Sequence, residues 1–512
     1  MHLVLLLACT PKDVVPVDDT GASTGTDTAD TSDTPDTTTT GLDADDLATF
    51  RNRVERDLSG YGTGASVAFW KNGAIVYAEG FGSADPDADV PVTPETIFQV
   101  GSDTKKMTAI AVLQQVQAGR LSLDQTVASA LPDVALARSP AWAGGTTLHH
   151  LLSHQGGLYD YTPWDDEPAD EALETRATGI FAENEWAVAP GGAMWNYSNP
   201  NFSLAGLAAE RAAGVPYADL LVDGLFAPLG MDRSYAREAD MPASEAIAVG
   251  YGYAFTSERD WFDPFSTDYT YTLGRTDLEA VTDNGFVRPA GLVWSTASDM
   301  CRLAGFLAEG NDAVLNDTLR AELTTHHVSL YPSDPTQGYG YGMFVIDFYP
   351  DSAGGIHDVP FWLHGGNTLS YTSLFYVVPE QDFAVCILSN GYGDDFSKSA
   401  YKAIDLFAGV PTETVEIEPT PYDVDPSVHA GHYEDPMFGG IDITWAGDAL
   451  EITMPDLEAR GVTVGSSLTQ VFNEVYVFTL DRVQYDLSFI DGEDGTPSKY
   501  ARNRLFVGTR SE

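Results

Sequence analysis

Cysteine is nearly absent: Cys9, Cys301 and Cys386 are the only three in 512 residues. Three thiols cannot build a disulfide framework, and no CxxC pair occurs to suggest zinc or redox chemistry. Cys301 falls in a predicted helix and Cys386 in a predicted apolar strand. They read as two buried thiols, and a bridge between them in an oxidising compartment is left open. Basic residues are scarce as well. The chain carries 26 Lys and Arg against 76 Asp and Glu, a formal net charge of −50. That balance argues against nucleic acid as a partner, because phosphate binding needs a basic surface. The acid excess reads first as a solubility device and second as a fit to a salty medium that screens self-repulsion. No apolar run approaches the roughly 20 residues of a membrane-spanning helix. A hydrophobic share of 43% with 11% aromatics is nonetheless that of a globular chain, and the length exceeds one ordinary domain.

The short apolar run Leu3–Ala8 ends in Leu6-Leu7-Ala8-Cys9, which resembles a bacterial lipobox. The resemblance implies a lipoprotein-type signal over residues 1–9 and lipidation of Cys9. Residues 10–46 are dominated by Thr, Asp, Ser, Gly and Pro. Such a stretch buries too little to offset its ordering entropy, so it reads as a solvated acidic tether. Together these features predict a secreted protein, lipid-anchored at the bacterial cell envelope (outer membrane or cell surface) and facing periplasm or exterior.

Beyond the tether a helix is expected near Asp45–Leu58, then a hairpin over Ala65–Gly82 turning at Asn72-Gly73, a strong two-residue turn signal. Helical patterns follow, notably Lys105–Ala118 and Phe202–Ala213, before strand character returns at Gly340–Phe348, Thr372–Val378 and Phe383–Ser389, closed by a helix near Phe396–Phe407. Strands at both ends with helices between predict an α+β domain over 47–409: one antiparallel sheet flanked by helices, with a helical lobe. Residues 410–428 are Pro-rich and acidic, a linker. Over 429–512 short runs such as Ile441–Trp445, Leu450–Met454, Val475–Leu480 and Tyr485–Ile490 predict a small all-β domain or barrel.

The chemistry centres on Gly101-Ser102-Asp103-Thr104-Lys105. With Ser102 opening a helix, Lys105 lies one turn on and on the same face. Serine becomes a nucleophile when a base removes its proton, and a lysine of depressed pKa can be that base. Asp103 and Thr104 are also candidate helix caps. With only seven lysines in the chain, this spacing carries weight. The second copy, Ser399-Ala400-Tyr401-Lys402, lacks companion motifs and reads as a solvated helix face. The companions of Ser102 are Tyr197-Ser198-Asn199 and Leu363-His364-Gly365-Gly366-Asn367. A tyrosine phenol can shuttle protons and an asparagine amide can hold a substrate carbonyl. The glycines let a substrate lie along the strand edge, where a backbone N–H supplies half an oxyanion hole and Ser102 N–H the other half.

These three motifs in this order resemble the serine β-lactamase and penicillin-binding-protein superfamily. Within it they are most similar to the branch of class C β-lactamases, D-alanyl-D-alanine carboxypeptidases and family VIII esterases. The segments LLSHQGGLYDY (151–161), LFAPLGM (225–231), PAGLVWSTASDM (289–300) and HGGNTLSYTSLF (364–375) look like that branch too. The resemblance covers roughly Leu47–Phe407. It implies Ser102 as the acylated nucleophile, Lys105 and Tyr197 as the proton-transfer pair, and Asn199, His364, Gly365, Gly366 and Asn367 as substrate contacts, with Asn367 N–H completing the oxyanion hole. His364 stands where many β-lactamases carry a lysine, which points away from a dedicated antibiotic-degrading enzyme. Nothing in the helical lobe matches the Glu-bearing loop of class A enzymes; Glu183-Asn184 fits poorly.

Other residues read as structural. His149, His150 and His154 have no acid at zincin spacing, so no metal and no cofactor is expected. Tyr159, Tyr161 and Trp164 suit either the cleft mouth or the core. The G-x-S-x-G match at 21–25 has no strand–helix context and cannot form a nucleophile elbow. The expected function is a serine hydrolase working through an acyl-enzyme on a D-amino-acid peptide, β-lactam or small ester. The alternative is a penicillin-recognising binding or sensor protein that is acylated but turns over poorly.

Overall fold

The computed structural model describes residues 38–39, 41–58, 63–134, 141–183, 188–255, 271–276, 283–417 and 421–511. Cys9, most of the tether and the G-x-S-x-G match lie outside the described residues. The tether was expected to run to residue 46, but Thr38–Thr39 already pairs with the edge of the sheet, opposite Ala78 and Tyr77. The first helix, α1 (Ala44–Asp57), begins where Asp43 accepts from the backbone N–H groups of Asp45 and Asp46, an N-cap interaction.

Strands β1 (Gly64–Lys71) and β2 (Ala74–Asp85) form the expected hairpin. Asn72 and Gly73 both take positive φ, 49° and 80°, as a two-residue turn between twisted strands requires. The chain then leaves the sheet for a helical lobe containing α2 (Thr104–Gln117), α3 (Asn199–Ala213) and α4 (Ala297–Glu309). It returns through β3 (Val328–Tyr331), β4 (Asp334–Tyr339), β5 (Phe344–Ile346), β6 (Phe361–Asn367), β7 (Thr372–Val378) and β8 (Phe383–Ser389), then α5 (Ser397–Ala403). The expected strand over 340–348 is in fact only Phe344–Ile346, fed by a turn at Gly342.

The sheet order is Thr38–Thr39, β2, β1, β8, β7, β6, β5, β4, β3, with every neighbouring pair antiparallel. Hairpin β1–β2 and the late strands thus meet at β1–β8, which closes the domain with distant parts of the chain. Strand alternation sorts side chains into two cores. Val67, Phe69, Val385 and Ile387 face the layer holding α1 and α5, whereas Ala68, Ala384, Cys386 and Leu388 face the helical lobe. Both faces are covered, so these strands read as unbroken apolar runs. Cys301 of α4 and Cys386 of β8 are free, buried thiols. Burial, with Cys301 beside it, pushes the Cys386 thiol up.

After residue 409 the chain crosses the domain surface, where Val415 N donates to Ile356 O at 2.8 Å, before entering a closed barrel of eight strands. Leu450 and Ile452 are buried while Glu451 and Thr453 are exposed, the alternation a filled barrel needs. The barrel docks on the α+β domain: Phe438 meets Tyr159 at 6.0 Å, and Arg502 donates to Trp195 O at 2.7 Å and Leu330 O at 2.9 Å. Tyr159 and Tyr161 are therefore buried packing residues, and Trp164 packs against the same core. Among the described residues no helix is long and apolar enough to cross a membrane.

Helix α2 is sequestered on nearly all sides. Its start is pinned by an ion pair between Lys106 Nζ and Asp103 Oδ1, both side chains fully buried. Asp103 thus pairs with a lysine rather than capping the helix; its other oxygen accepts from Ser373 Oγ of β7, and the Lys106 amine lies 4.2 Å from the Phe375 ring centroid. A buried charge stripped of its partner is costly, so Asp103→Ala should destabilise the fold by about 3–5 kcal/mol. The shift in urea midpoint measures this. Replacing both partners with apolar residues (Asp103→Leu with Lys106→Met) should recover most of the loss.

Candidate active site

Ser102 lies in the 3₁₀ turn Gly101–Asp103 that leads into α2. The turn and the helix stack Ser102 and Lys105 on one face. Lys105 Nζ is 3.0 Å from Ser102 Oγ, and it donates to Asn199 Oδ1 at 2.7 Å and to the Ala290 carbonyl at 2.7 Å. Both of those partners are carbonyl oxygens, which only accept. The amine is fully buried and sits 4.8 Å from the Tyr197 ring centroid. Burial pushes the Lys105 amine well below the ordinary lysine value; the positive charges of Arg504 and Lys106 add to this, while Asp160 and Asp103 oppose it. A neutral lysine has two N–H groups and one lone pair. In the neutral form, with two carbonyls taking the N–H groups, the lone pair faces the Ser102 hydroxyl; in the protonated form the third N–H donates to Ser102 Oγ. The neutral form can take a proton from serine.

Tyr197 is buried, its ring 4.1 Å from that of His154 on one side and 4.5 Å from the Arg504 guanidinium carbon. Asn199 opens α3, and its side chain has a different immediate task from the expected substrate contact. Its amide oxygen holds Lys105, and its amide N donates to Thr162 Oγ1 at 2.6 Å. His364 is likewise engaged within the protein. It is buried on β6, with Nδ1 2.7 Å from Gly365 O and Nε2 3.1 Å from Tyr339 OH. Gly365 O can only accept, so Nδ1 carries the hydrogen and Nε2 accepts from the phenol. Burial first, then the nearby lysines Lys106 and Lys105, push its pKa down and keep it neutral. It cannot serve as the fixed cation that a lysine in that position would be.

Gly365, Gly366 and Asn367 form the end of β6, opposite Leu374, Ser373 and Thr372. This strand end lies against the Ser102 turn. A Cβ at Gly366 would fall 2.0 Å from Val100 O and 2.8 Å from Ser102 N, and one at Gly101 would fall 2.6 Å from Asn367 N. Gly101 further needs its positive φ of 53°. Only glycine lets the two backbones approach so closely, which sets the backbone nitrogens of residues 102 and 367 near each other.

The histidines of the helical lobe are structural. His149 Nδ1 is 2.7 Å from Tyr341 OH, His150 closes a capping box with Thr147, and His154 lies beneath Tyr197. No group of three or more His, Cys, Asp or Glu among the described residues could hold a metal. The second S-x-x-K copy is only partly on a solvated face: Ser399 is buried and donates to Asp57 Oδ2 at 2.6 Å, while Lys402 donates to Ser352 Oγ at 3.1 Å.

Four contributors were not singled out from sequence: the Ala290 carbonyl, Thr162, Asp160 and Arg504. Ala290 and Asp160 lie inside segments noted for their resemblance, PAGLVWSTASDM and LLSHQGGLYDY, which was a usable signal. Thr162 follows the second of these directly. Arg504 carried none.

The Beta-lactamase family profile matches residues 50–408. Penicillin-binding protein 4* of Bacillus subtilis (strain 168) is 28% identical over 202 residues, covering 37% of this chain and 42% of that protein; the match thus spans less than half of that curated relative. Among solved structures, SurE with D-Leu superposes with a TM-score of 0.66 at 20% identity, over 91% of this chain and 99% of that one. A class C β-lactamase superposes at 0.55 and 21% identity, over 72% of this chain and 100% of that one. At these identities the structures establish a shared fold. With the family profile running from residue 50 to residue 408, well over half of its length, this chain belongs to the Beta-lactamase family.

Proposed function

We propose that the protein is a serine hydrolase that forms an acyl-enzyme on Ser102, with a D-amino-acid peptide, a β-lactam or a small ester as substrate. The observation that carries this reading is the orientation of the buried Lys105 amine, with two N–H groups taken by carbonyls and its third direction toward Ser102 Oγ. In the first half-reaction Lys105 takes the hydroxyl proton as Oγ attacks the substrate carbonyl. The N–H groups of Ser102 and Asn367 receive the developing oxyanion. The proton passes to the leaving group through Lys105, with the Tyr197 phenol as its partner, and the acyl group stays on Ser102. Water then repeats the sequence to release the acid. The D-Leu in the SurE structure supports a D-amino-acid substrate, and the neutral His364 favours a peptide, amide or ester over a dedicated antibiotic.

Ser102→Ala should lower turnover of p-nitrophenyl esters, nitrocefin or D-alanyl peptides by about a thousandfold or more with an unchanged melting temperature. A folded variant of undiminished rate would sink the reading. In wild type, an adduct of Ser102 that forms and does not decay, seen by intact mass, would instead identify a penicillin-recognising sensor. Gly366→Ala should cost about 10²–10³ in kcat by displacing the strand end from the Ser102 turn; unchanged kcat would show that the oxyanion site lies elsewhere. Finally, kcat/KM should rise with pH through one acid limb. Protonated Lys105 cannot accept the serine proton, and its midpoint should lie well below that of an ordinary lysine. A profile that rises only near the ordinary lysine value would contradict a buried neutral base.

A further inference from the structure

The C-terminal barrel reaches the site through one side chain. Arg504 lies in the turn between the barrel strands Tyr500–Arg502 and Val507–Arg510. Its Nε donates to Asp160 Oδ2 at 2.7 Å. The other oxygen of Asp160 accepts from the backbone N–H of Asn199 at 2.8 Å, and the Asn199 amide oxygen accepts from Lys105. A continuous polar chain, Arg504–Asp160–Asn199–Lys105, therefore joins the barrel to the amine. The Arg504 and Asp160 side chains are only 22% and 9% exposed, so solvent screens this pair less than a surface pair.

The turn that carries Arg504 is itself anchored. Arg502 is buried, donates to Trp195 O and Leu330 O, and stacks near Trp195 and Tyr331, at 5.4 and 5.1 Å from their ring centroids. Asn503 Nδ2 donates to Asp486 O at 2.6 Å, while its Oδ1 accepts from Leu505 N at 2.8 Å. The backbone on both sides of Arg504 is thus held, so the guanidinium is presented at a set position over the Tyr197 ring.

We propose that Arg504 is a positioning residue for the Ser102–Lys105 pair, and that the active site is complete only with the barrel docked. This rests on the hydrolase reading above for its consequence, but the arrangement it describes can be measured apart from catalysis. The groups that face Lys105 are Asp103 and Lys106 from its own segment, His154 and Asp160 from the loop after residue 152, Tyr197 ahead of α3, His364 from β6 and Arg504 from the barrel. His154, like His364, is held neutral, by burial first and then by the neighbouring Lys105, His364 and Arg504. After burial, Arg504 is the largest influence depressing the Lys105 amine, and Asp160 is the largest opposing it. Arg504 and Asp160, though bonded to each other, therefore push the same amine in opposite directions. That opposition follows from their opposite charges, and the hydrogen-bonded path from Arg504 through Asp160 and Asn199 ties both to the amine.

The test is an NMR titration of the seven lysines, labelled at Cε, in the full chain, with the Lys105 signal assigned by its loss in Lys105→Met. Arg504→Gln should move the Lys105 midpoint up by about one pH unit and so lower the rate of Ser102 labelling by a fluorophosphonate about tenfold below that midpoint. Asp160→Asn should move the midpoint down. Arg504→Lys should keep the midpoint near wild type while lowering the labelling plateau several-fold, because the charge stays and the planar donor is lost. A folded Arg504→Gln protein with unchanged Lys105 titration, or Gln and Asn variants that shift in the same direction, would overturn the proposal. If Arg504→Gln does not fold, Asp160→Asn decides: a downward shift supports the proposal and no shift overturns it. Should the titrations move as stated while wild-type Ser102 takes no label, the hydrolase reading fails and this one stands.

Discussion

The structure of the site depends on where one amine can point. Lys105 is carried into the interior on α2, where water cannot solvate its charge and two carbonyl oxygens, from Asn199 and Ala290, take up its hydrogens. What remains of its tetrahedral geometry faces Ser102. The rest of the fold is arranged around that constraint. The 3₁₀ turn sets the serine one turn before the lysine, the Asp103–Lys106 pair fixes the start of the helix against β7, and the glycines at 101 and 366 bring the strand end up to the serine. A second lysine next in sequence, fully buried yet paired to a carboxylate, shows how differently the same residue type is used two ångström-scale environments apart. Lys106 is held by an anion, whereas Lys105 is held by neutral carbonyls. For Lys105, with no carboxylate in direct contact, burial disfavours the charge.

Much of this was legible in the sequence because it is local. Ser102 and Lys105 are three residues apart, Asn72-Gly73 dictates a turn by its own backbone preferences, and the apolar runs of β1, β7 and β8 report strands covered on both faces. The Tyr197–Asn199 and His364–Asn367 motifs could be placed near Ser102 through their resemblance to a family. What each side chain touches was less legible. Asn199 and His364 were recognisable as members of the site, but their hydrogen bonds are decided by Lys105, Thr162, Gly365 and Tyr339, and no spacing rule encodes those orientations. The Ala290 contribution is a backbone carbonyl, to which residue identity is nearly irrelevant. Arg504 lies 344 residues from Asp160, the side chain it meets, on a domain whose role composition could not specify.

The barrel changes how the two-domain architecture is understood. Its core is filled by its own side chains, and its docking surface is built from aromatic contacts and from arginines that bond backbone carbonyls. Arginine suits this work: it stays charged, offers donors in several directions and stacks on rings. In a chain with only 26 basic side chains against 76 acidic ones, Arg502 and Arg504 stand together at the boundary with the α+β domain. One secures the turn and the other meets the site. A buried His364 on β6 and an arginine delivered from the barrel both lie close to Lys105.

The central claim is that Lys105 is neutral and accepts from Ser102. A neutron structure of the deuterium-exchanged protein at neutral pH tests it directly. The account predicts two deuterons on Lys105 Nζ, directed at Asn199 Oδ1 and Ala290 O, with the Ser102 hydroxyl deuteron pointing at the nitrogen. Three deuterons on Nζ, one of them directed at Ser102 Oγ, would contradict it.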